Sequence, residues 1–528
     1  MDTVRVSLTM IVKNEEKNLA RVITSARPIA AELIVVDTGS TDRTVAIAEE
    51  LGARVFRFSW IGDFSAARNY ALAQASGNWV LILDGDDIAH EREPGAIRRD
   101  LAAQPDSVMF LRVPVRSRRW DDLGYSVSGG RRLFRRVPEI RWIFPIHENV
   151  VHAADSQEME ASCASLTIEH TGYVDPTTDT ARTRHRRNMR LLRQELAARP
   201  DAPELYYYLA TQYGSAGYSA SAVRIARSGL ARFRGRMRPD FAGLIRTVAM
   251  RAAMQMGKPE VAIAIGTPGM SEYAYSELAF TLGCACGRAG DLDRAERYFK
   301  LAIALRGRVT EYQVDAGTGS WKALIELGSV AWKRERHDLA LERWRRAHET
   351  MPSEGVTAYA YGRGLLAVGR RDEALPLLAR AVEQAPNLVD AHRVYAQALV
   401  QEGRSQEALE HLTAQVERRP ENATYWMLAG ELLHHLRQYE ACVDLLGAVI
   451  ERHQTNAHIY VLLGSALRSI GRTHDAFHAF ALAAAINPAS KIGRAGLRSV
   501  ARELEFTVDA TSGAGAVHAT ADTSPVAR

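Results

Sequence analysis

The chain contains few cysteines and no long apolar run. Its 528 residues include four cysteines, Cys163, Cys284, Cys286 and Cys442, whose spacing matches no common zinc site. So few cysteines also give no disulfide framework, which suits a reducing compartment. No segment is apolar enough to predict a membrane-spanning helix, and no signal peptide is recognisable. We therefore expect a cytoplasmic protein without a membrane span.

Glycine-rich phosphate loops and a strong charge of one sign are also missing. Neither a Gly-x-Gly-x-x-Gly pattern nor a P-loop is present, which argues against ordinary dinucleotide and ATP sites. The chain has 67 Lys and Arg against 62 Asp and Glu residues, so its formal net charge is only +5. This small excess favours acidic partners or anionic surfaces only weakly. The length leaves room for two or three domains.

The first part of the chain alternates between predicted strands and helices. Short apolar, β-branched runs predict strands at 6–12, 33–36, 53–58 and 79–83, with helices ending near Ser25 and spanning 45–51 and 64–75. This order with short links predicts a Rossmann-like, mostly parallel sheet. The fourth strand ends in Asp84, Asp86 and Asp87. Carboxylates so close repel one another unless a hard cation binds them, although a solvated acidic turn is the simpler alternative.

Four polar motifs accompany these strands in order. They read Met-Ile-Val-Lys-Asn-Glu-Glu at 10–16, Val-Val-Asp-Thr-Gly-Ser-Thr-Asp-Arg-Thr at 35–44, Asp-Phe-Ser-Ala-Ala-Arg-Asn at 63–69 and Leu-Asp-Gly-Asp at 83–86. Together they resemble the motifs of family 2 glycosyltransferases with a GT-A fold, most closely the bacterial subgroup that includes peptide S-glycosyltransferases. That subgroup commonly shows Asp-Ala-Asp-Glu, and here Asp87 stands in the last place. The resemblance implies a GT-A domain at 1–175.

The resemblance also implies a set of donor-binding residues. They are Val12, Asn14, Glu15, Asp37, Arg68, Asp84 and Gly85. Asp37 would accept the uracil N3–H of a UDP-sugar, and its alternative is to cap the helix at Val45. Asn14 and Glu15 would contact base and ribose, or simply begin a helix. Arg68 would reach the diphosphate, or form a structural ion pair with Asp63 or Asp84.

The resemblance further implies a divalent cation, Mn²⁺ or Mg²⁺. Asp86 would be its main ligand, with Asp84 and His170 as further ligands. The cation would neutralise charge on the leaving nucleoside diphosphate. His170 and Tyr173 belong to a segment that resembles the family's closing His-x-Gly-Tyr element, although a lone histidine is equally well a hydrogen-bonded structural residue.

A general base is expected, because the family resemblance implies inversion at the anomeric carbon. Glu148, next to His147 in a segment resembling the subgroup's His-Glu pair, is the main candidate. Asp87 and Asp122 are alternative bases, and the alternative role of Glu148 is an ion pair with a nearby arginine. Arginines suit diphosphate recognition through bidentate hydrogen bonds, and Arg131 lies in such an arginine-containing segment. This segment, 129–134, is interpreted as a mobile flap over the donor site. A solvated basic face is the alternative.

The remainder of the chain repeats with a period of 34 residues. One position of the repeat is glycine or arginine, at Gly369, Gly403, Arg437 and Gly471. A second position, five residues later, is a small residue, at Ala374, Ala408, Cys442 and Ala476. This period resembles tetratricopeptide repeats, in which small residues let paired helices approach closely. About eight repeats would form an all-α solenoid at 203–505.

Three segments flank or interrupt these domains. The segment 176–202 contains a predicted basic helix, with Asp179 as a plausible N-cap, and is interpreted as a solvated linker. It lacks the interleaved aromatics of a nucleic-acid site, so no nucleic-acid partner is expected. Residues 310–320 resemble an insertion, and 506–528 is expected to be a disordered tail because it is rich in small and polar residues.

These observations predict a metal-dependent, inverting glycosyltransferase, of the hexosyltransferase class. Its nucleotide-sugar donor would bind the α/β domain, and a protein or peptide acceptor would bind the concave repeat array. A glycan or lipid-linked acceptor, with repeats used to form a homo-oligomer, is one alternative. An inactive scaffold that binds sugar nucleotides is another, although the intact Asp37, Arg68, Asp84 and Asp86 count against it.

Overall fold

The structure is a computed structural model that divides into two compact units. It describes residues 4–118, 125–154, 159–172, 179–306, 314–315, 317–452, 457–504, 506–508 and 517–519. The first unit spans residues 1–360 and the second residues 361–528. The first unit contains the α/β domain together with the first repeats, and the second contains only later repeats and the tail. No helix of the described residues is both long and apolar enough to cross a membrane.

The predicted alternation of strands and helices is present at the start of the chain. The elements are β1 (Val6–Val12), α1 (Leu19–Ala26), β2 (Glu32–Asp37), α2 (Thr44–Glu50), β3 (Arg54–Arg57), α3 (Phe64–Gln74) and β4 (Trp79–Ile82). These four strands are parallel in the order β3-β2-β1-β4. Leu8, Met10 and Val35 are completely buried within this sheet, as expected for parallel strands covered on both faces.

The strands that follow add antiparallel pairs to the sheet. They are β5 (Asp87–Glu91), α4 (Ala96–Ala102), β6 (Phe110–Arg118), β7 (Tyr125–Arg135), β8 (Ile140–Ile143), β9 (Asn149–His152), β10 (Glu160–Ser162) and β11 (Leu166–His170). Strand β7 runs antiparallel to both β4 and β6, and β11 joins β6 to β5. The sheet is therefore parallel in its first half and mixed in its second half.

The mobile flap predicted at 129–134 is wrong. These residues lie inside β7, where Leu133 and Phe134 pair with both β4 and β6 and are completely buried. Residues 129–131 pair with β6 alone, so opening the segment would break ladder hydrogen bonds to β6 and, at Leu133 and Phe134, also to β4. Its arginines are instead fixed by ion pairs, as described below.

Helices of the first unit follow the α/β domain. They are α5 (Asp179–Ala198), α6 (Pro203–Ser215), α7 (Ser219–Arg232), α8 (Pro239–Gln255), α9 (Pro259–Glu272), α10 (Ser276–Arg288), α11 (Leu292–Ala304), α12 (Trp321–Lys333) and α13 (His337–Thr350). Between α11 and α12, the two-residue β12 (Val314–Asp315) pairs with β7 and so extends the main sheet. The predicted insertion thus contributes a strand to the α/β domain.

The prediction of a solvated linker helix is also wrong. Helix α5 buries Met189, Leu191 and Leu192, which form one apolar cluster with Ile146 of the α/β domain and Leu205 of α6. The apolar positions of α5 lie among its arginines, so that composition alone gives the impression of a uniformly polar helix. Helix α5 therefore packs both on the α/β domain and on the first repeat.

The helical pattern continues from the end of the first unit through the second. It comprises α14 (Gly355–Ala367), α15 (Arg371–Gln384), α16 (Val389–Gln401), α17 (Ser405–Arg418), α18 (Ala423–His435), α19 (Tyr439–Arg452), α20 (Ala457–Ser469), α21 (Thr473–Ile486) and α22 (Lys491–Glu503). This confirms the predicted α/β domain followed by an all-α array. Within the tail, β13 (Phe506–Val508) pairs with β14 (Val517–Ala519), so these six residues depart from the expected disorder.

The recurring glycines act in turns rather than in close helix contacts. Gly369, Gly403 and Gly471 have φ of 81°, 75° and 77°, and a Cβ placed on any of them would meet nothing within 4 Å. They therefore supply the left-handed conformation that ends the first helix of a pair. Arg437 takes the same conformation, at φ 59°, without the freedom of glycine. The small residues five positions later are the ones that are completely buried, at Ala374, Ala408, Cys442 and Ala476.

Candidate active site

The ends of β1 and β2 bring the first predicted donor residues together. Val12 and Asp37 are partners in the parallel register of these strands. Asp37 is buried and accepts hydrogen bonds from the N–H groups of Gly39 (3.2 Å) and Ser40 (3.0 Å). Its carboxylate thus closes the turn after β2. It does not cap α2, since Asp42 Oδ1 accepts the hydrogen bond from the Thr44 N–H.

Asn14 adopts a left-handed conformation with φ 56° and joins the β1 loop to the β2 loop. Its Oδ1 accepts from the Thr41 N–H (2.8 Å), and its own N–H donates to Ser40 Oγ (2.9 Å). The next residue, Glu15, lies against Gly85, where an added Cβ would stand 2.5 Å from Glu15 Cγ. Burial, together with the charge of Asp86, raises the pKa of Glu15. The loops that follow β1, β2 and β4 thus contact one another through Asn14 and Glu15.

Arg68 is the centre of an ion-pair network. Its Nη2 lies 2.6 Å from Asp84 Oδ1 and its Nε lies 2.7 Å from Glu148 Oε1. The guanidinium also lies over the Trp142 ring, 4.9 Å from its centroid. Arg132 engages the other oxygen of Asp84 at 3.0 Å. Of the two structural ion pairs considered for Arg68, the one with Asp84 is present, whereas Asp63 caps α3 by accepting from the Ala66 N–H.

These ion pairs determine the charge of Asp84. Burial opposes ionisation, but Arg132 and Arg68 outweigh it and hold the pKa of Asp84 well below its usual range. Arg68, although buried, keeps a raised pKa because Asp84 and Glu148 compensate its charge. Since both oxygens of Asp84 are occupied by arginines, the geometry is unlike that of the metal ligand expected from the sequence.

Asp86, Asp87 and His170 form a second cluster next to this network. One ligand atom from each lies within 4.8 Å of the others. His170 Nδ1 lies 2.9 Å from Asp87 Oδ1 and 3.3 Å from Asp86 Oδ1. Asp87 is completely buried, and its Oδ2 accepts from the Asp84 N–H at 2.9 Å and lies 3.4 Å from Arg132. This burial does not fit the alternative in which Asp87 deprotonates an acceptor.

The carboxylates of this cluster repel one another, and His170 compensates their charge only in part. Burial raises the pKa of Asp86, and the neighbouring charges of Asp84 and Asp87 raise it further, against the opposing effect of His170. Although burial opposes it, the pKa of His170 is raised by its hydrogen bond to Asp87 and by the charge of Asp86. A bound cation would relieve the repulsion among these carboxylates.

The segment after β11 encloses Asp86 closely. A Cβ added to Gly172 would stand 1.5 Å from Asp86 Oδ2, so no larger residue fits without moving the carboxylate. The backbone N–H and the Oγ1 of Thr171 both donate to the Asp86 carbonyl oxygen, at 3.0 and 2.9 Å. The segment that contains His170 and Gly172 thus fixes Asp86 as well.

Glu148 belongs to a segment with unusual backbone conformations. Phe144 and His147 have φ of 73° and 51°. Arg199, in the link between α5 and α6, places its guanidinium carbon 3.8 Å from the centroid of the Phe144 ring. Tyr208 of α6 stacks on His147, with ring centroids 3.7 Å apart. Burial lowers the pKa of His147 to about 4, so its ring is neutral at pH 7. Residues outside the α/β domain thus hold the segment that presents Glu148.

A cavity of about 610 Å³ opens beside Glu148. Its lining combines Arg68, Asp84 and Glu148 with the aromatic residues Trp142, Phe144 and Tyr208. Arg131 also lines it, but its guanidinium is paired with Glu160 and donates to the Val150 carbonyl oxygen. The network around Arg68 is therefore accessible from this cavity.

Two residues predicted for the site lie outside the residues that the structure describes, and three residues of the site were not predicted. Tyr173 and Asp122 lie outside the described residues. Arg132, Gly172 and Tyr208 contribute to the site without having been assigned a role. The first two stood within segments already noted in the sequence, whereas Tyr208 gave no local signal, because its contact joins distant parts of the chain.

Comparison with protein families identifies both parts of the chain. Residues 7–145 match the family model described as Glycosyl transferase family 2. Residues 276–308 and 365–432 match models described as Tetratricopeptide repeat. These matches agree with the motif resemblances found in the sequence.

Three curated relatives show partial similarity. A TPR repeat-containing protein of Synechococcus elongatus is 40% identical over 177 residues, which cover 32% of this chain and 42% of that protein. The SPbeta prophage-derived glycosyltransferase SunS of Bacillus subtilis is 26% identical over 209 residues, covering 39% and 49%. An uncharacterized glycosyltransferase of Rickettsia conorii is 44% identical over 85 residues, covering 16% and 30%. The matched region thus spans less than half the length of each relative.

Two solved structures of tetratricopeptide repeat proteins show weak similarity to this chain. A tetratricopeptide repeat protein from Parabacteroides merdae has a TM-score of 0.35 at 15% identity, covering 48% of this chain and 97% of that chain. The TPR protein YrrB, whose structure is described as having an unusual peptide-binding site, has a TM-score of 0.28 at 15% identity, covering 38% and 95%.

Proposed function

We propose that this chain, which carries a glycosyl transferase family 2 domain followed by tetratricopeptide repeats, transfers a sugar from a nucleotide-sugar to a protein or peptide acceptor. A UDP-sugar is the favoured donor, with Asp37 accepting from the base. The observation that carries the proposal is the position of the Asp86–His170 cluster beside the Arg68–Glu148 pair. The candidate cation site and the candidate base would thus be linked through Asp84, whose carboxylate pairs with Arg68 next to Glu148 and with Arg132 next to Asp87.

Asp86 and His170 would hold Mn²⁺ or Mg²⁺. Their close spacing and the repulsion that raises the pKa of Asp86 both fit a small cation. When bound, the cation would neutralise charge on the leaving nucleoside diphosphate. Asp87 would orient the His170 ring through Nδ1 rather than serve as a base. Asp84 would fix Arg68 and Arg132 instead of binding the cation.

Glu148 would act as the general base. Its carboxylate lines the cavity and is held at Oε1 by Arg68 Nε, which fixes its direction. In the reaction, Glu148 would accept the proton of the acceptor nucleophile as that atom bonds to the anomeric carbon and the diphosphate leaves with its bonding electrons. Attack opposite the leaving group would invert the anomeric centre.

The repeat array would bind the acceptor. A stack of helix pairs presents an extended concave surface, which suits a peptide or an unfolded protein segment better than a small sugar. Tyr208 and Glu204 of α6 line the cavity beside Glu148, so the first repeat would contact the part of the acceptor next to the reacting atom.

The test is nucleotide-sugar turnover. Purified protein would be given UDP-, GDP- and dTDP-sugars with Mn²⁺, with Mg²⁺ or with EDTA. We expect metal-dependent release of one nucleoside diphosphate, reduced about 100-fold or more in Asp86→Asn. Asp106→Asn, which changes a fully exposed carboxylate, should behave like the wild type. If the protein shows neither release nor metal-dependent nucleotide binding, the proposal is contradicted.

A further inference from the structure

Helix α5 brings an arginine to the acidic cluster. Arg184 Nη1 lies 3.4 Å from the carbonyl oxygen of Gly172, the residue that packs against Asp86. Its positive charge lowers the pKa of Asp86 and of Glu15, opposing the effect of burial on both. Arg184 is nevertheless exposed, so its guanidinium borders both the candidate cation site and the solvent.

A second arginine lies on the same face of α5. Arg187 follows Arg184 by three positions, so the two side chains are neighbours on the helix surface. Its guanidinium lies over the Phe64 ring at 5.0 Å and donates from Nε and Nη2 to Asn188 Oδ1, at 3.2 and 3.1 Å. Burial and the charge of Arg184 both lower the pKa of Arg187, and Glu148 opposes them.

These two arginines differ from the others at the site. Arg68, Arg131 and Arg132 each form an ion pair with a carboxylate. Within the described part of the chain, neither Arg184 nor Arg187 has a carboxylate partner at ion-pair distance. Guanidinium groups remain charged in proteins, and a partly buried charge such as that of Arg187 is normally paired. Two adjacent unpaired cations at the edge of a site therefore favour binding of an anion.

We propose that Arg184 and Arg187 bind the diphosphate of the nucleotide-sugar donor. The inference rests on the proposed function and extends the donor site to α5, a helix outside the residues matched by the family model. A diphosphate fits because it must also lie next to the cation site, which Arg184 borders through Gly172. Guanidinium groups bind such oxygens through paired hydrogen bonds. Helix α5 would therefore complete the donor site as well as join the two domains.

The test compares binding of a nucleoside diphosphate with binding of its nucleoside. UDP and uridine, with GDP and dTDP and their nucleosides in parallel, would be titrated into the full chain by calorimetry with Mn²⁺ present. The variant is Arg184→Gln with Arg187→Gln. The matched control is Arg186→Gln with Arg190→Gln, which removes the same charge from exposed positions of the same helix. Thermal unfolding would verify that both variants fold.

We expect the Arg184/Arg187 variant to weaken binding of the preferred nucleoside diphosphate by about tenfold or more, because charge-assisted hydrogen bonds are lost. Nucleoside binding and the control variant should be unaffected. Equal weakening in both double variants, or none in either, would overturn the inference while leaving metal-dependent nucleotide binding intact. If the wild type binds no nucleotide, the proposed function and this inference both fail.

Discussion

Among single residues, Gly172 constrains the candidate cation site most tightly. Because an added Cβ would stand 1.5 Å from Asp86 Oδ2, Gly172→Ala must displace the carboxylate or the segment after β11. We expect this variant to lose metal-dependent nucleotide binding, measured by calorimetry, although it removes no ligand. Gly447→Ala is the control, since a Cβ there would meet nothing within 4 Å. Unchanged binding by Gly172→Ala would show that Asp86 does not need its observed position.

His147 gives a prediction for the pH dependence of stability. Burial lowers its pKa to about 4 in the folded state, from an ordinary value of 6.5. Between these values the unfolded chain binds more protons, so stability is complete above pH 6.5 and falls as the pH decreases toward 4. The linked change in the free energy of unfolding is on the order of 3 kcal/mol.

His147→Asn removes this titrating group while keeping a residue that tolerates the left-handed backbone. Urea denaturation at pH 7 and pH 4.5 should therefore show a smaller loss of stability for the variant than for the wild type. Identical losses would mean that His147 is not buried as the structure describes.

At the level of elements, α5 and α6 support the segment that presents Glu148. Tyr208 of α6 stacks on His147, one residue before the proposed base. Tyr208→Ala removes this support, and small displacements of a reacting group can lower rates by about 100-fold. We expect a lower kcat for donor turnover with little change in the donor KM. Tyr208→Phe, which keeps the ring, should restore kcat. An equal defect in both variants would contradict a positioning role.

Local sequence patterns were sufficient for the first four strands and their helices, because each buried parallel strand is an apolar run bounded by polar turn residues. The same reasoning failed at β7. Arg131 and Arg132 there are matched by Glu160 and by Asp84, both distant in the sequence, so the strand has the composition of a basic loop. Likewise, the apolar residues of α5 become meaningful only when Ile146 and Leu205 are known to lie opposite them.

The candidate site divides in the same way. The motifs place Asp37, Asp84 and Asp86 after the parallel strands β2 and β4, which end at one edge of the sheet. His170 ends β11 instead and is brought to Asp87 by antiparallel pairing with β5. The division of labour among the acids depends on partners that no motif encodes. Asp84 is neutralised by two arginines, whereas Asp86 is left beside His170, and this distinction requires the structure.

At the scale of the whole molecule, the α/β domain should not function alone. A chain ending at residue 175, the boundary predicted from the sequence, would expose Ile146 and remove Val314–Asp315 from the edge of β7. A chain ending at residue 354 retains both contacts. We expect the longer chain to bind a nucleoside diphosphate with metal as the full chain does, and the shorter chain to lose this binding. Calorimetry on both would decide, and full binding by the shorter chain would contradict the prediction.

The most direct test of the central claim separates donor binding from catalysis. For the donor found by turnover, the wild type, Asp86→Asn and Glu148→Gln would be compared for metal-dependent binding of the nucleoside diphosphate and for donor turnover. We expect Asp86→Asn to lose both binding and turnover. Glu148→Gln should keep nucleoside diphosphate binding, but its turnover should be at least about 100-fold slower, as for loss of a general base. Wild-type turnover by Glu148→Gln, or wild-type metal dependence in Asp86→Asn, would contradict the account.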